Sequence, residues 1–264
     1  AEALYTLQQG EVLSFQADGS VLALRDLSGS RVSATQKVAV FSGHEEAVVQ
    51  PPSCDDGCCA EHIEEQLLPL AVWGAVVPCA KAPPRGPSDM DLWRIQAGAA
   101  GVVLTTSPPI PGLHGQVLAE DGDWVQAFAG ASFLVEATGP IQVAQYLASQ
   151  GCTEDFIGDP ALVMAVPAAR YRSSYVFATL EGYAENLVTI VRPVGAAVAL
   201  DGAPLAGGAF QAVGSSGWEV GYFEVEGGAA HTVVGASPFG LYLYGYSGPV
   251  SYGCPGGLDL VPDP

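Results

Sequence analysis

An internal repeat constrains the fold of this chain more than any other feature of its sequence. Residues 66–150 resemble residues 164–247, and several landmark residues of the two segments lie 98 positions apart. Self-similarity at a fixed period indicates repeated structural units, so we expect two copies of one module. The landmark pairs are Pro69 and Pro167, Trp73 and Tyr171, Val135 and Val233, Pro140 and Pro238, and Tyr146 and Tyr244.

A partial third copy lies at the N-terminus. The segments LQQGEVLSFQ (7–16) and GSRVSATQKVAVFSG (29–43) resemble LAEDGDWVQAF (118–128) and GASFLVEATGPIQVAQY (130–146) of the first full copy. The predicted division of the chain is a partial repeat (1–50), a Cys-rich connection where a helix begins (51–65), a repeat module (66–150), a linker (151–163), a second repeat module (164–248) and a C-terminal segment (249–264).

The pattern within the repeats is that of β-strands. Short apolar runs are separated by turn residues, with 33 Gly and 20 Pro in the chain. In residues 239–246, Phe and Leu alternate with Gly and Tyr, which is the period of two of a half-buried strand. Repeats of this length favour tandem antiparallel β-sandwich-like modules in an all-β protein. A single closed pseudo-symmetric β architecture is the alternative.

One segment departs from the strand pattern. In DDGCCAEHIEEQLL (55–68), Asp56 is a candidate N-cap, and Ile63 and Leu67 are spaced by one helical turn. The sequence therefore predicts a short helix near residues 56–68.

Composition and charge exclude several classes of protein. The hydrophobic fraction of 49% and the charged fraction of 14% indicate a folded chain. The net charge of −19 argues against nucleic acid and anionic lipid as partners. The longest apolar stretch, residues 67–80, is too short for a membrane span and contains two prolines. No secretion signal is recognisable at the start, so we expect one to have been removed or to lie outside this chain.

Six cysteines and a strong acidic excess favour an oxidising, extracellular or cell-surface location. We expect disulfides rather than free thiols. Adjacent cysteines rarely pair with each other, so one of Cys58 and Cys59 is expected to reach a distant partner, for which Cys79 is nearest in sequence. Cys152 and Cys254 either pair together or return to the cluster that begins at Cys54, and the sequence leaves these connectivities open.

Metal and catalytic signals are weak. Cys58 and His62, with Cys59, suggest a zinc site, but the second half of a zinc spacing is missing. Acidic groups at 120–123, at Asp89 with Asp91, and at 154–159 are interpreted as solvated turns rather than calcium loops. The chain contains no nucleophile elbow, phosphate loop or zinc-protease motif. We therefore assign no catalytic, cofactor-binding or metal-binding residue.

A row of tyrosines near the C-terminus is the one candidate contact surface. Tyr242, Tyr246 and Tyr252 offer apolar rings with polar tips, as binding surfaces for protein or glycan do. Tyr244 has its repeat counterpart at Tyr146, which favours a structural role for that residue.

Several phrases resemble the IgGFc-binding protein N-terminal domain family. They are DLSGSRVSATQKVAVFSGHE (26–45), CCAEHIEEQLLPLAVWG (58–74), the GDP of residues 158–160 with the following ALVMAVPAARY, and PFGLYLYGYSGPVSYGCPGGLDL (238–260). The resemblance implies a secreted or surface protein of the bacterial kind, and an adhesive or ligand-binding role without established catalytic residues. Immunoglobulin binding, known from an animal member, is not carried over to this chain.

The leading hypothesis is thus a non-enzymatic extracellular adhesion or ligand-binding β module. A structural subunit of an extracellular assembly is the alternative, because an incomplete N-terminal unit with unpaired strand edges invites a neighbouring chain. A zinc-dependent enzyme that uses Cys58, Cys59 and His62 is a third, disfavoured hypothesis.

The resemblance also yields a prediction about chain integrity. GDPA at residues 158–161 is similar to the GDPH sequence at which related mucin-type modules cleave themselves, but Ala161 replaces the His. We expect no self-cleavage. After mild acid treatment, gel electrophoresis should show one intact 264-residue band, whereas two fragments split between Asp159 and Pro160 would contradict this expectation.

Overall fold

A computed structural model of the chain describes residues 3–17, 26–55 and 57–261. These residues form 17 β-strands in three antiparallel sheets, which confirms the all-β, sandwich-like fold class. Helical structure in the described ranges is limited to four 3₁₀ turns of three residues each. None of these helices is long or apolar enough to cross a membrane.

The strands follow one another closely along the chain. In order they are β1 (Phe41–Ala47), β2 (Glu61–Gln66), β3 (Gly74–Cys79), β4 (Asp91–Ala97), β5 (Val102–Ser107), β6 (Val117–Leu118), β7 (Trp124–Ala129), β8 (Phe133–Tyr146), β9 (Leu162–Ala165), β10 (Arg172–Ala178), β11 (Glu185–Pro193), β12 (Val198–Leu200), β13 (Ala203–Pro204), β14 (Phe210–Ala212), β15 (Trp218–Glu224), β16 (Ala230–Ser247) and β17 (Val250–Pro255).

Each of the two larger sheets is organised around one long strand. In the seven-stranded sheet, of order β6-β5-β8-β4-β7, the first half of β8 pairs with β3 and β5 and its second half with β4 and β9. In the eight-stranded sheet, of order β13-β12-β16-β11-β15-β14, β16 pairs in the same way with β10, β12, β11 and β17. Both sheets curl because the long strand changes partners halfway.

The repeat of the sequence is visible in this topology. The bulge between Gly74 and Val76 of β3 has its counterpart 98 residues later, between Arg172 and Ser174 of β10. A bulge bends a strand and raises its local twist, and here both bulges lie where the edge strand follows the bend of its long partner. Equivalent residues therefore carry equivalent distortions.

One strand crosses a predicted module boundary. β9, at Leu162–Ala165, pairs with β8 of the first sheet, yet it straddles the predicted linker (151–163) and the start of the predicted second module. The division of the chain into domains stays a prediction.

The helix predicted near residues 56–68 is wrong. Residues 61–66 form β2, which pairs with β1 to make a two-stranded sheet. Its Ile63 is buried against Ala47 of β1 and Leu162 of β9, so pairing and packing override the helix propensity of the Glu and Gln residues. The proposed N-cap, Asp56, lies outside the described residues.

The alternation within β16 separates two cores. Its aliphatic face fills the core of the eight-stranded sheet through Phe239, Leu241 and Leu243. Its phenolic face, with Tyr242 and Tyr244, packs against residues of the first repeat such as Leu147. Because side chains alternate between the two faces of a strand, one face of β16 packs into the core of its own sheet and the other packs at the junction between the two repeats.

We expect truncation of the inner face of β16 to destabilise the protein. Leu241 is 1% exposed, so Leu241→Ala should lower the free energy of unfolding by about 2–5 kcal/mol through lost burial and a residual cavity. Val176→Ala, on an exposed position of β10, is the control and should change it by less than about 0.5 kcal/mol. Urea denaturation measures both, and equal effects would contradict this assignment of the core.

Candidate functional site

The tyrosine row expected at the surface lies inside the molecule. Tyr242 and Tyr246 are 2% and 1% exposed, so the prediction of a contact surface is wrong for both. They face the junction between the two repeats, where the Tyr242 hydroxyl accepts a hydrogen bond from the Val166 amide at 2.9 Å and Tyr246 donates to the Pro83 carbonyl at 3.0 Å. Burial raises the pKa of the Tyr246 hydroxyl well above its ordinary value.

The other two tyrosines of this region are also engaged within the fold. Tyr244 is fully buried and donates to Oε1 of Gln145 in the first repeat at 2.7 Å, in keeping with the structural role expected for it. Tyr252 is half-buried, and its hydroxyl donates to Oδ1 of Asn186 at 2.7 Å. Burial raises the pKa of Tyr252 to about 12.

A buried ion cluster occupies the loop between β3 and β4. Asp89 and Asp91, interpreted from sequence as part of a solvated turn, are 2% and 0% exposed. Asp89 accepts hydrogen bonds from Lys81 Nζ at 2.9 Å and from Arg85 Nη2 at 3.0 Å. Asp91 Oδ2 accepts from the Ala82 amide at 2.8 Å. The solvated-turn interpretation is wrong here because two cations from the same loop neutralise the two carboxylates inside the protein.

The pKa shifts of the two carboxyl groups follow from these contacts. Burial raises the pKa of Asp89, but the positive charges and hydrogen bonds of Arg85 and Lys81 outweigh it and hold this pKa below its usual range. Burial raises the pKa of Asp91, which lies farther from Lys81 Nζ, at 3.7 Å.

The ion cluster is tied to the second repeat. Gln145 of β8 donates through Nε2 to Asp91 Oδ2 at 2.5 Å and accepts from the Tyr244 hydroxyl through Oε1. Arg85 lies over the ring of Tyr246, 5.5 Å from its centroid. This polar network therefore joins the two units, and its shifted carboxyl groups are committed to structure.

The cysteines form two disulfides among the described residues. Cys54 pairs with Cys152, with Cα atoms 5.3 Å apart, which is one of the connectivities left open by the sequence. Cys58 pairs with Cys59, so the expectation that one of these two reaches a distant cysteine is wrong. Cys79 is a buried thiol, and Cys254 is a half-buried one whose pKa is raised by burial to about 11; the disulfides expected for these two are also wrong.

The pairing of Cys54 follows from the repeat. Cys54 lies in the loop between β1 and β2, and Cys152 lies 98 residues later, in the loop between β8 and β9. The two hairpins stack, since Ile63 of β2 packs with Leu162 of β9. Their loops therefore meet, and equivalent positions are bridged.

The remaining candidates for metal binding do not assemble. Both cysteines of the zinc hypothesis are bound in a disulfide, and His62 is exposed, with Glu64 3.8 Å away. Within residues 3–17, 26–55 and 57–261, no group of three or more His, Cys, Asp or Glu side chains is placed to hold a metal ion.

The GDPA segment is held in the junction. Asp159 is 1% exposed, its amide donates to Ser251 Oγ at 2.7 Å, and its Oδ1 accepts from the Gln150 amide at 3.0 Å. Burial, the largest influence, raises the pKa of this carboxyl group. The absence of self-cleavage at this site stays a prediction.

The surface that sequence reasoning missed is an exposed, uncharged sheet face on the second repeat. Cross-strand partners share a face of a sheet, and here Ser174 of β10, Val234 of β16, Ala199 of β12 and Pro204 of β13 lie in one row. Val176, two residues along β10, extends the row. Val234 and Val176 are 53% and 75% exposed. We call this surface, with Ala236, the apolar face.

Two shallow grooves follow the apolar face. One, of about 370 Å³, is lined by Ala197, Val198, Ala199, Pro204, Val234, Gly235 and Ala236. The other, of about 410 Å³, lies between β10 and the segment after β17 and is lined by Arg172, Ser174, Tyr175, Val176, Gly256, Gly257 and Leu258.

The first repeat carries a charge where the apolar face has none. Glu136 of β8 occupies the position equivalent to Val234, 98 residues earlier, and pairs with Val76 and Thr105. The offset of 98 residues aligns Glu136 with Val234 in the sequence alone. The replacement of a charged residue by an apolar one at this position is the sequence signal for the apolar face.

Comparisons with known proteins place the chain among related sequences. A sequence model of the family described as "IgGFc binding protein" matches residues 2–245. The human "IgGFc-binding protein" is 29% identical over 240 residues, which cover 86% of this chain and 4% of the human protein. The chain therefore spans only a small part of the length of that relative.

Among solved structures, a chain described as "anti-sigma factor domain-containing protein" aligns with 69% of this chain and 81% of its own length. Its sequence identity is 9% and its TM-score is 0.18. We infer nothing about the present chain from a similarity this low.

We expect the ion cluster to contribute strongly to stability. Asp89→Asn removes the shared carboxylate of Lys81 and Arg85 and leaves two buried cations around one remaining carboxylate, so the free energy of unfolding should fall by about 3–5 kcal/mol. Asp155→Asn, at an exposed position, removes the same charge and should change the free energy of unfolding by less than about 0.5 kcal/mol. Thermal or urea unfolding at neutral pH measures the difference, and a loss below about 1 kcal/mol for Asp89→Asn would refute the role given to the cluster.

Proposed function

The chain belongs to the IgGFc-binding protein family, and from that premise we propose that it is an extracellular domain that binds a protein ligand and catalyses no reaction. The apolar face is the observation that carries the proposal. Exposed apolar patches are small on monomeric proteins, and larger ones mark interaction sites. In a chain with 28 acidic residues, a row of five uncharged positions across four strands is a suitable contact for another protein.

The geometry of the apolar face supports contact with a protein in particular. β10 pairs only with β16 among the strands of the described residues, so its outer edge offers backbone groups to an added strand. The two grooves beside it are open and shallow, whereas small ligands favour deep pockets that enclose most of their surface.

An extracellular location is supported by the chemistry of the cysteines. Two disulfides, one of them linking positions 98 residues apart, persist in oxidising compartments. The strong acidic excess keeps the protein soluble and discourages nonspecific association.

A role without catalysis is supported by where the perturbed groups lie. Asp89, Asp91 and Asp159 are buried in hydrogen-bonded networks between the repeats, outside the two grooves. The alternative of a zinc enzyme loses its thiolate ligands to the disulfide between Cys58 and Cys59.

The name of the human relative assigns the Fc part of immunoglobulin G to that protein. We take this Fc fragment as the first ligand to test on the present chain. A second candidate function, a structural unit of an extracellular assembly, is favoured by the exposed strand β1 at the opposite end of the chain.

The test places a charge on the apolar face. Binding of the full chain to IgG Fc, to a panel of secreted proteins and to a glycan array is measured by biolayer interferometry and array fluorescence. We expect saturable binding to at least one protein, weakened at least about tenfold by Val234→Glu because the new carboxylate would be buried without a partner.

The matched control is Val117→Glu. Val117 of β6 is 61% exposed and belongs to the other large sheet, so the same charge is added away from the apolar face, and affinity should stay within about twofold. Binding to glycans alone, or protein binding that Val234→Glu leaves unchanged, would overturn the proposal.

A further inference from the structure

Three hairpins of the chain occupy equivalent positions in the repeat. They are β1 with β2, the second half of β8 with β9, and the second half of β16 with β17. The Leu67 amide donates to the Val40 carbonyl at 2.9 Å, and the residue 98 positions after Leu67 is Ala165, which is paired with Val143. Val40 is therefore the counterpart of Val143, and Val38 is the counterpart of Ile141.

The two complete copies show what covers the other edge of this hairpin. In the first, β4 runs antiparallel to the second half of β8, with Ile95 opposite Val143 and Ala97 opposite Ile141. In the second, β11 pairs in the same register with β16, where Ile190 lies opposite Leu241. Ile141 and Val143 are consequently 0% exposed.

Among the described residues of the N-terminal copy, no strand lies in the position of β4. Within the described part of the chain, β2 is the one strand paired with β1. Val38 is 56% exposed although its counterpart Ile141 is fully buried, and Phe41 is also 56% exposed. Six of the seven residues of β1 are exposed. The strand equivalent to β1 is thus buried in the two complete copies and exposed in the N-terminal copy.

We propose that the free edge of residues 38–43 accepts an antiparallel β-strand of the β4 type, supplied by a further unit of the same repeat. The register follows from the complete copies: residues equivalent to Ile95 and Ala97 lie opposite Val40 and Val38. The added strand supplies backbone partners for this edge and apolar side chains opposite Val38 and Val40. The proposal is independent of the apolar face and of the ligand proposed for it.

A second copy of this chain does not fit as the donor. β4 is already paired on both edges, with β7 and β8, and β11 is paired with β15 and β16. Neither strand is available unless its own sheet is dismantled. The donor is therefore a strand from a repeat unit that is itself incomplete, and pairing of two β1 strands in a dimer is a different arrangement that the test distinguishes.

The direction of the backbone groups identifies a substitution that tests pairing at the free edge. Successive residues of a strand point their N–H and C=O groups to opposite edges. Since Val40 bonds to Leu67 on the β2 side, the amide of Ala39 points to the free edge. Ala39→Pro removes this donor, whereas Ala39→Ser retains it, and the exposed position leaves the rest of the fold intact in both.

The experiment uses the full chain and a fluorescently labelled peptide, MDLWRIQAG, which copies residues 90–98. Fluorescence anisotropy should show saturable 1:1 binding, and hydrogen exchange should slow at least about tenfold at residues 38–43. Ala39→Pro should weaken binding at least about tenfold and Ala39→Ser by less than twofold, and unchanged unfolding midpoints confirm that both variants fold.

Two controls complete the design. A peptide that carries Ile95→Asp should not bind, because its carboxylate would face the apolar row of Val38 and Val40. Absence of peptide binding at millimolar concentration, protection at β10 instead of residues 38–43, or concentration-dependent dimerisation of the chain alone with protection at β1 would each overturn the proposal.

Discussion

The division of one long strand between two interiors is the constraint on which the rest of the structure depends. β16 turns Leu241 and Leu243 into the core of its own sheet and Tyr242 and Tyr244 towards the preceding repeat. Because both faces of the strand are buried, a shift of one residue would exchange aliphatic and phenolic side chains between the two interiors. The register of β16 therefore fixes the strands that pair with it and the seam between the repeats at the same time.

Buried charge gives that seam its specificity. A purely apolar junction would let the two repeats slide against each other, whereas the hydrogen bonds of Gln145 with Asp91 and Tyr244 are directional. Such networks are costly when any member lacks its partner, so they favour one arrangement of the two units over near alternatives. Lys81 and Arg85 bring the opposite charges from the same loop as Asp89 and Asp91, which makes the loop self-neutralising before the units meet.

Sequence reasoning succeeded where the signal was periodic. The offset of 98 residues and the alternation in residues 239–246 were sufficient for the all-β class and for the structural role of Tyr244. It failed where tertiary contacts decide. β2 is rich in helix formers but is held by β1 and by the burial of Ile63, and Asp89 looks like any acidic turn residue until Lys81 and Arg85 close around it. The apolar face is found only by comparing equivalent positions of the two repeats, because Val234 stands out only when it is compared with its charged counterpart Glu136.

The disulfide between Cys54 and Cys152 has a mechanical consequence. Its two ends lie in neighbouring hairpins, and six of the seven strands of the first sheet, β3 to β8, lie in the chain between them. Tension applied along the polypeptide passes through the covalent bridge and bypasses those strands. Roughly 330 Å of extended chain, at about 3.4 Å for each residue, is thereby withheld from stretching. The strands of the first repeat that lie inside the bridge are therefore not stretched. The second repeat lies outside the bridge, so its hydrogen bonds carry the tension.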